Sequence, residues 1–185
     1  YAILNADDDL VYDMRRYVKC KIALFSMNEE NPRIRRFQKE GGITAVCENG
    51  YVSLTSGTWT MRVMKVANIP LTFGGKASFM IQNILPAILG AHLSGFSIQD
   101  MKTALESFIP SVDQTPGRLN MFRFRNFTFI LDYAHNPTGM RALQAFTDKL
   151  QFSHKVGIIA GIGDRLDSDT EKIGMIAAEM FNEII

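Results

Sequence analysis

The 185-residue chain is long enough to withdraw roughly 70% of its unfolded surface from water, and its 46% hydrophobic and 21% charged residues exclude disordered, low-complexity and collagen-like classes. A net charge of +1 is spread evenly on the two sides of Thr115, so the polycationic footprint of a nucleic-acid binder is missing. The longest apolar stretch, Ile84 to Leu93, is broken by Pro86 and His92 and falls well short of the ~20 residues of a membrane span.

Cys20 and Cys47 form no CxxC pair and read as free thiols of a reducing, cytoplasmic setting. The first residues carry no basic segment followed by a long apolar one, so nothing there supports secretion. The chain starts inside a strand-like run and stops at Glu183-Ile184-Ile185, where another strand would begin, which reads as a fragment of a longer protein.

In chain order, Ala2 to Leu4 reads as a strand entering the turn Asn5-Ala6-Asp7-Asp8, followed by a helix from Asp9 to Arg16 and a strand at Lys21 to Ser26. Asn31 to Phe37 is either a helical turn or a loop, and its arginines fit a solvated face better than an anion patch. Ile43 to Glu48, Asn49-Gly50 and Tyr51 to Leu54 form a hairpin pattern, because both central residues of a type I′ turn need positive φ. Trp59 to Val66 would extend that ribbon. Apolar residues recur at helical spacing from Ala77 to His92, with Pro86 expected to kink the helix and Gly95 placed to end it. Ser97-Ile98-Gln99-Asp100 resembles a capping box that opens a helix reaching Phe108.

Pro110 to Gly117 has the composition of a hinge, which puts a domain boundary between residues 114 and 115. Beyond it, Phe127 to Leu131 reads as a buried strand, Pro137 to Leu150 as a helix, Lys155 to Ala160 as a second strand and Asp169 to Phe181 as a second helix. The strand starts lie 28 residues apart, near the ~30 of a βαβ unit, so a parallel sheet is expected.

Ligands of open α/β sheets sit beyond the carboxyl ends of the strands, where loops converge and helix N-termini present free N–H groups. The first strand runs into Asp132-Tyr133-Ala134-His135-Asn136-Pro137, in which Asn136 can cap a helix and Pro137 suits its first position. The second runs into Gly161-Ile162-Gly163-Asp164-Arg165, and Asp132 and Asp164 are expected to share one crevice. An aspartate there can accept from ribose hydroxyls or hold a metal, or simply cap a loop; His135 can donate to a phosphate or shuttle a proton, or be structural. Arg118, just past the hinge, can reach a nucleotide or serve in an ion pair. Three histidines far apart argue against a metallohydrolase. Leu166 stands where a dinucleotide fingerprint needs its third glycine, and Ala77 follows Gly75-Lys76 where a Walker A loop needs Ser or Thr.

Together, Asn5-Ala6-Asp7-Asp8, Gly75-Lys76-Ala77-Ser78-Phe79 to Asn83, Thr115-Pro116-Gly117-Arg118-Leu119-Asn120, Asp132 to Pro137 and Gly161 to Arg165 resemble, in order, the Mur ligase-type region of the cyanophycin synthetase family. The resemblance implies an α/β fold: the later part of a Mur ligase central, ATP-binding domain (residues 1–114), then the start of a Rossmann-like C-terminal domain with a parallel sheet (residues 115–185). It implies ATP-dependent amide formation through an acyl phosphate, joining arginine to aspartate side-chain carboxyls of an acidic peptide polymer. By the same resemblance Asn5 and Asn83 lie near the adenine, Arg118 and Asp132 reach the nucleotide, His135 and Asn136 shape the adjoining loop, and Asp164 and Arg165 act on the substrate side. Met80 departs from the asparagine common at its position. The family's phosphate-binding loop and Mg2+ ligands would precede Tyr1, so the chain alone is expected to be inactive. A peptidoglycan-type Mur ligase fragment and a non-catalytic nucleotide- or peptide-binding module are the alternatives, and self-association through the sheet edge near Ile185 is expected.

Overall fold

The computed structural model describes residues 1–161 and 166–185. The chain divides into two compact units, Tyr1–Ile109 and Pro110–Ile185.

In the first unit three strands run parallel, β1 (Ala2–Asn5), β2 (Ile22–Ser26) and β3 (Ile43–Glu48), and two follow antiparallel, β4 (Tyr51–Ser56) and β5 (Trp59–Lys65), in sequential order. Parallel neighbours need crossovers. These are α1 (Asp9–Asp13), continued by a 3-10 turn over Met14–Arg16, and α2 (Pro32–Lys39). Asp8 caps α1 through Val11 N–H at 2.9 Å. The segment open to either reading at Asn31 is a helix: Asn31 caps it, Pro32 occupies its first turn, and its arginines pair with Asp9, Glu30 and Glu40. Antiparallel return at Asn49-Gly50 works because both residues adopt positive φ, 49° and 76°.

Alternation along the strands sends side chains to two faces. Leu4, Leu24 and Val46 meet Ile34 and Phe37 of α2, whereas Ala23, Phe25, Ala45 and Leu54 meet the helices that follow, α3 (Ser78–Leu93) and α4 (Ile98–Ser107). Helix α3 offers Ile81, Ile84, Leu85, Ile88 and Leu89 at helical spacing, and it continues through Pro86. It ends in a Schellman arrangement: Phe96 N–H donates to the Ala91 carbonyl, Gly95 N–H to that of His92, and Gly95 has φ +88°. The capping box of α4 is complete, with Ser97 and Asp100 bonding reciprocally.

The second unit differs from the sequence expectation in its strand pairing. The strand expected first in this unit, β7 (Thr128–Leu131), is not buried: Phe129 and Leu131 are 44% and 43% exposed. It pairs antiparallel with β6 (Asn120–Arg123), which the hydrophobic pattern had not marked, because Arg123 and Arg125 interrupt the apolar run. Cross-strand phenylalanine pairs hold this hairpin, Phe122 with Phe129 and Phe124 stacked on Phe127 with ring centres 4.6 Å apart.

The parallel βαβ unit lies one step later than expected. After α5 (Pro137–Asp148) come β8 (Val156–Gly157), α6 (Asp167–Met180) and β9 (Glu183–Ile184), with Val156 opposite Glu183 and Gly157 opposite Ile184. Gly157 is required there, since a Cβ would lie 2.5 Å from the Phe181 ring. Met140 of α5 packs with Ile176, Ala177 and Met180 of α6, and Arg141 pairs with Glu179 on the surface. No helix among the described residues is long and apolar enough to cross a membrane.

Candidate functional site

The hinge-like segment packs with the second unit because a buried amide organises it. Asn120, 3% exposed, accepts from Gly117 N–H (2.8 Å) and donates to the Thr115 carbonyl (2.9 Å). This folds Thr115 to Arg118 into a tight turn, closed by Arg118 N–H on the Thr115 carbonyl. Leu119 then takes φ 51°, an uncommon conformation for a non-glycine residue. Two features offset its cost: the Leu119 side chain is fully buried, and its N–H donates to Asp132 Oδ2 at 2.8 Å.

Asp132 follows β7 and uses its other oxygen as well, accepting from Ala134 N–H at 2.9 Å. One carboxylate therefore ties two loops together: the one carrying Arg118 and the one carrying Tyr133, His135 and Asn136. Asn136 caps α5 by accepting from Gly139 N–H at 2.7 Å, with Pro137 in the first turn. On this surface the Arg118 Cζ stands 4.9 Å from the centre of the Tyr133 ring, and the His135 ring meets the same tyrosine at 4.6 Å and 61°. Arg118 is exposed and takes part in no ion pair among the described residues. Its guanidinium edge can thus offer N–H donors to an anion such as a phosphate.

Arg118, Asp132, His135 and Asn136 are therefore brought together within one unit. Tyr133, Leu119 and Asn120 belong to the same construction and had no role assigned from sequence. The signal for Asn120 is its place two residues after an arginine in a Pro-Gly turn, where a short amide can close the loop. Asp164 and Arg165 lie outside the described residues, as does the expected crevice between Asp132 and Asp164.

In the first unit, Asn5 Oδ1 accepts from Asp7 N–H at 3.0 Å where β1 ends. Asp7 accepts from Ser26 Oγ (2.5 Å), Met27 N–H (2.7 Å) and Asn31 Nδ2 (2.8 Å), which joins the carboxyl ends of β1 and β2 to the start of α2. Asn83 is exposed on α3, and no hydrogen bond joins it to Asn5 among the described residues. Met80 is buried. An open cavity of about 430 Å³ is lined by Glu29, Glu30, Arg35, Lys39 and Glu48, and one of about 220 Å³ by Tyr12, Arg15, Arg33 and Arg36; neither is lined by Asn5 or Asn83. Burial, aided by Glu29, pushes the Cys47 thiol above its ordinary pKa, which keeps it protonated and unreactive at neutral pH. No group of three or more His, Cys, Asp or Glu among the described residues is placed to hold a metal ion.

Residues 117–185 match the family model described as Mur ligase, glutamate ligase domain. All 185 residues align with the cyanophycin synthetase of Synechocystis sp. (strain ATCC 27184 / PCC 6803 / Kazusa) at 46% identity, covering 21% of that protein. They align with that of Nostoc sp. (strain PCC 7120 / SAG 25.82 / UTEX 2576) at 44%, covering 20%. The chain thus spans about a fifth of the length of these relatives. Among solved structures, the UDP-N-acetylmuramoylalanyl-D-glutamyl-2,6-diaminopimelate--D-alanyl-D-alanyl ligase of Acinetobacter baumannii superposes with a TM-score of 0.61 at 24% identity, over 99% of this chain and 37% of that one, a likeness of fold. Residues 117–185 are therefore similar to the Mur ligase glutamate ligase domain, and over its whole length the chain is similar to a segment of cyanophycin synthetase.

Proposed function

We propose that this chain is the Mur ligase-like part of an ATP-dependent ligase that joins arginine to the aspartate side-chain carboxyls of cyanophycin, an acidic peptide polymer. In this reading a carboxylate oxygen attacks the γ-phosphorus of ATP and ADP leaves. The amine then attacks the carbonyl of the acyl phosphate, losing a proton as inorganic phosphate departs. The observation that carries the reading is Arg118, whose guanidinium, in no ion pair among the described residues, stands over the ring of Tyr133 in the loop that leads into α5.

Phosphoryl transfer depends on positioning and on stabilising spread negative charge, which a planar guanidinium supplies. Arg118 would hold the transferring phosphoryl oxygens. Asp132 spends one lone pair of each oxygen on a backbone N–H, and the remaining pairs could accept from ribose hydroxyls. His135 and Asn136 would shape the rim, Asn5 and Asn83 would serve the adenine, and Asp164 and Arg165 would face the amino-acid and polymer substrates. Any Mg2+ that accompanies ATP would take its ligands from outside the described residues. The 185 residues hold no GxxxxGK[ST] loop, so turnover is expected of a protein of the relatives' length and not of this chain alone.

The test is arginine incorporation at limiting ATP by the full-length protein. Arg118→Ala should lower kcat/KM for ATP by about 10²-fold or more, and Asp132→Asn, which removes the charge and one of the two backbone acceptors, should raise KM for ATP. Unaltered kinetics in both variants would remove this surface from the nucleotide site.

A further inference from the structure

We infer that Tyr133 is a positioning residue for Arg118, its ring orienting the guanidinium while leaving the hydrogen-bonding edge free; the inference rests on the reading that Arg118 meets ATP. The contrast with the arginines held by carboxylates carries it. Arg15, Arg33, Arg35, Arg36 and Arg141 are oriented by Asp13, Asp9, Glu30, Glu40 and Glu179, and a carboxylate that orients a guanidinium also takes its donors and cancels its charge. Even where a ring takes part, at Tyr12 between Arg15 and Arg33, both cations are paired with carboxylates as well. At Arg118 the ring acts without a carboxylate among the described residues. The attraction to the face of an aromatic ring fixes the cation's place and consumes none of its N–H groups.

The backbone shows that this contact is built in. Asp132 bonds the N–H of Leu119, which follows Arg118, and that of Ala134, which follows Tyr133, so a single carboxylate sets the chain beside each partner. Asn120 closes the turn from the other side, and the His135 ring packs against that of Tyr133. Tyr133 is itself 56% exposed, so its ring contributes little to a core.

The experiment is a double-mutant cycle in the full-length protein, read as kcat/KM for ATP in arginine incorporation. Tyr133→Leu should lower it about three- to fivefold, the scale of an exposed cation–π contact. Tyr133→Phe should recover the loss, since the ring and not the hydroxyl does the holding. The double variant Arg118→Ala/Tyr133→Leu should be no slower than Arg118→Ala alone. If the two losses multiply instead, or if Tyr133→Phe is as slow as Tyr133→Leu, the positioning role is overturned while the Arg118 reading stands. Unaltered kinetics in Arg118→Ala would overturn both.

Discussion

The two units are held together differently. In the first, leucines and valines vanish from water: Val52, Leu54, Leu85 and Leu89 are fully buried between a five-stranded sheet and its helices. In the second, the hairpin leaves Phe124, Phe127 and Phe129 56%, 61% and 44% exposed, while the amide of Asn120 is almost completely covered. Apolar burial fixes the first unit as a scaffold, and saturated hydrogen bonds fix a loop in the second. The loop has one property a core cannot supply: it presents a charged side chain in a defined place, in no ion pair among the described residues.

The sharpest way to break the contrast is to remove packing from the first unit. Leu85→Ala should cost about 2–5 kcal/mol, because the fully buried site loses transfer free energy and leaves a cavity under α3. Urea unfolding checks the size, and amide exchange should show the loss in the first unit and not around Asn120. Removing a polar group from the second unit should come next. Asn120→Ala leaves Gly117 N–H without its acceptor and the Thr115 carbonyl with Arg118 N–H as its remaining donor, a loss of about 1–3 kcal/mol, with faster exchange at Gly117 and Leu119. An Asn120→Ala protein as stable as the parent would show that packing also holds this loop. Ser97→Ala should cost about 1 kcal/mol, confined to the first turn of α4.

This division also explains what could be read from the sequence. Periodicity marks elements whose faces are buried, and the strands and helices of the first unit fall close to their expected bounds. The type I′ turn at Asn49-Gly50 and the box at Ser97 were legible because each depends on a few adjacent residues. The segment at Pro32 was ambiguous, since only Ile34 of that helix is buried. In the second unit the same logic misled: Phe127 to Leu131 looks like a buried strand, yet its phenylalanines stack across a hairpin on an exposed face. Pairing partners are non-local and leave no mark in a single strand's pattern, which is why β6 was missed and the parallel pair was placed too early. At the site, Arg118 and Asp132 stood out by chemistry and position, but the bond from Leu119 to Asp132 joins residues in separate loops and needed the fold to be seen.

The weakest expected effect separates the units by salt. Asp100 is held below the ordinary aspartate range, first by the Ser97 hydroxyl and then by the Ser97 N–H; Glu179 is held below its own range chiefly by its hydrogen bond with Arg141. In both cases the folded state binds its proton less readily than the unfolded chain. The stabilisation is therefore present above the ordinary carboxyl range and is lost as pH falls through the lowered folded value. Both groups are fully exposed, so the effect is small and is best read as titration of each carboxyl by NMR. Raising salt to 1 M shortens the screening length to ~3 Å. The Glu179 titration should then move toward its ordinary value, since its partner is a charge. That of Asp100 should hardly move, since its donors are neutral and local, and Ser97→Ala should raise it part of the way at any salt concentration, because the backbone N–H remains. An Asp100 titration as salt-sensitive as that of Glu179 would mean that charge, and not the cap, sets the start of α4.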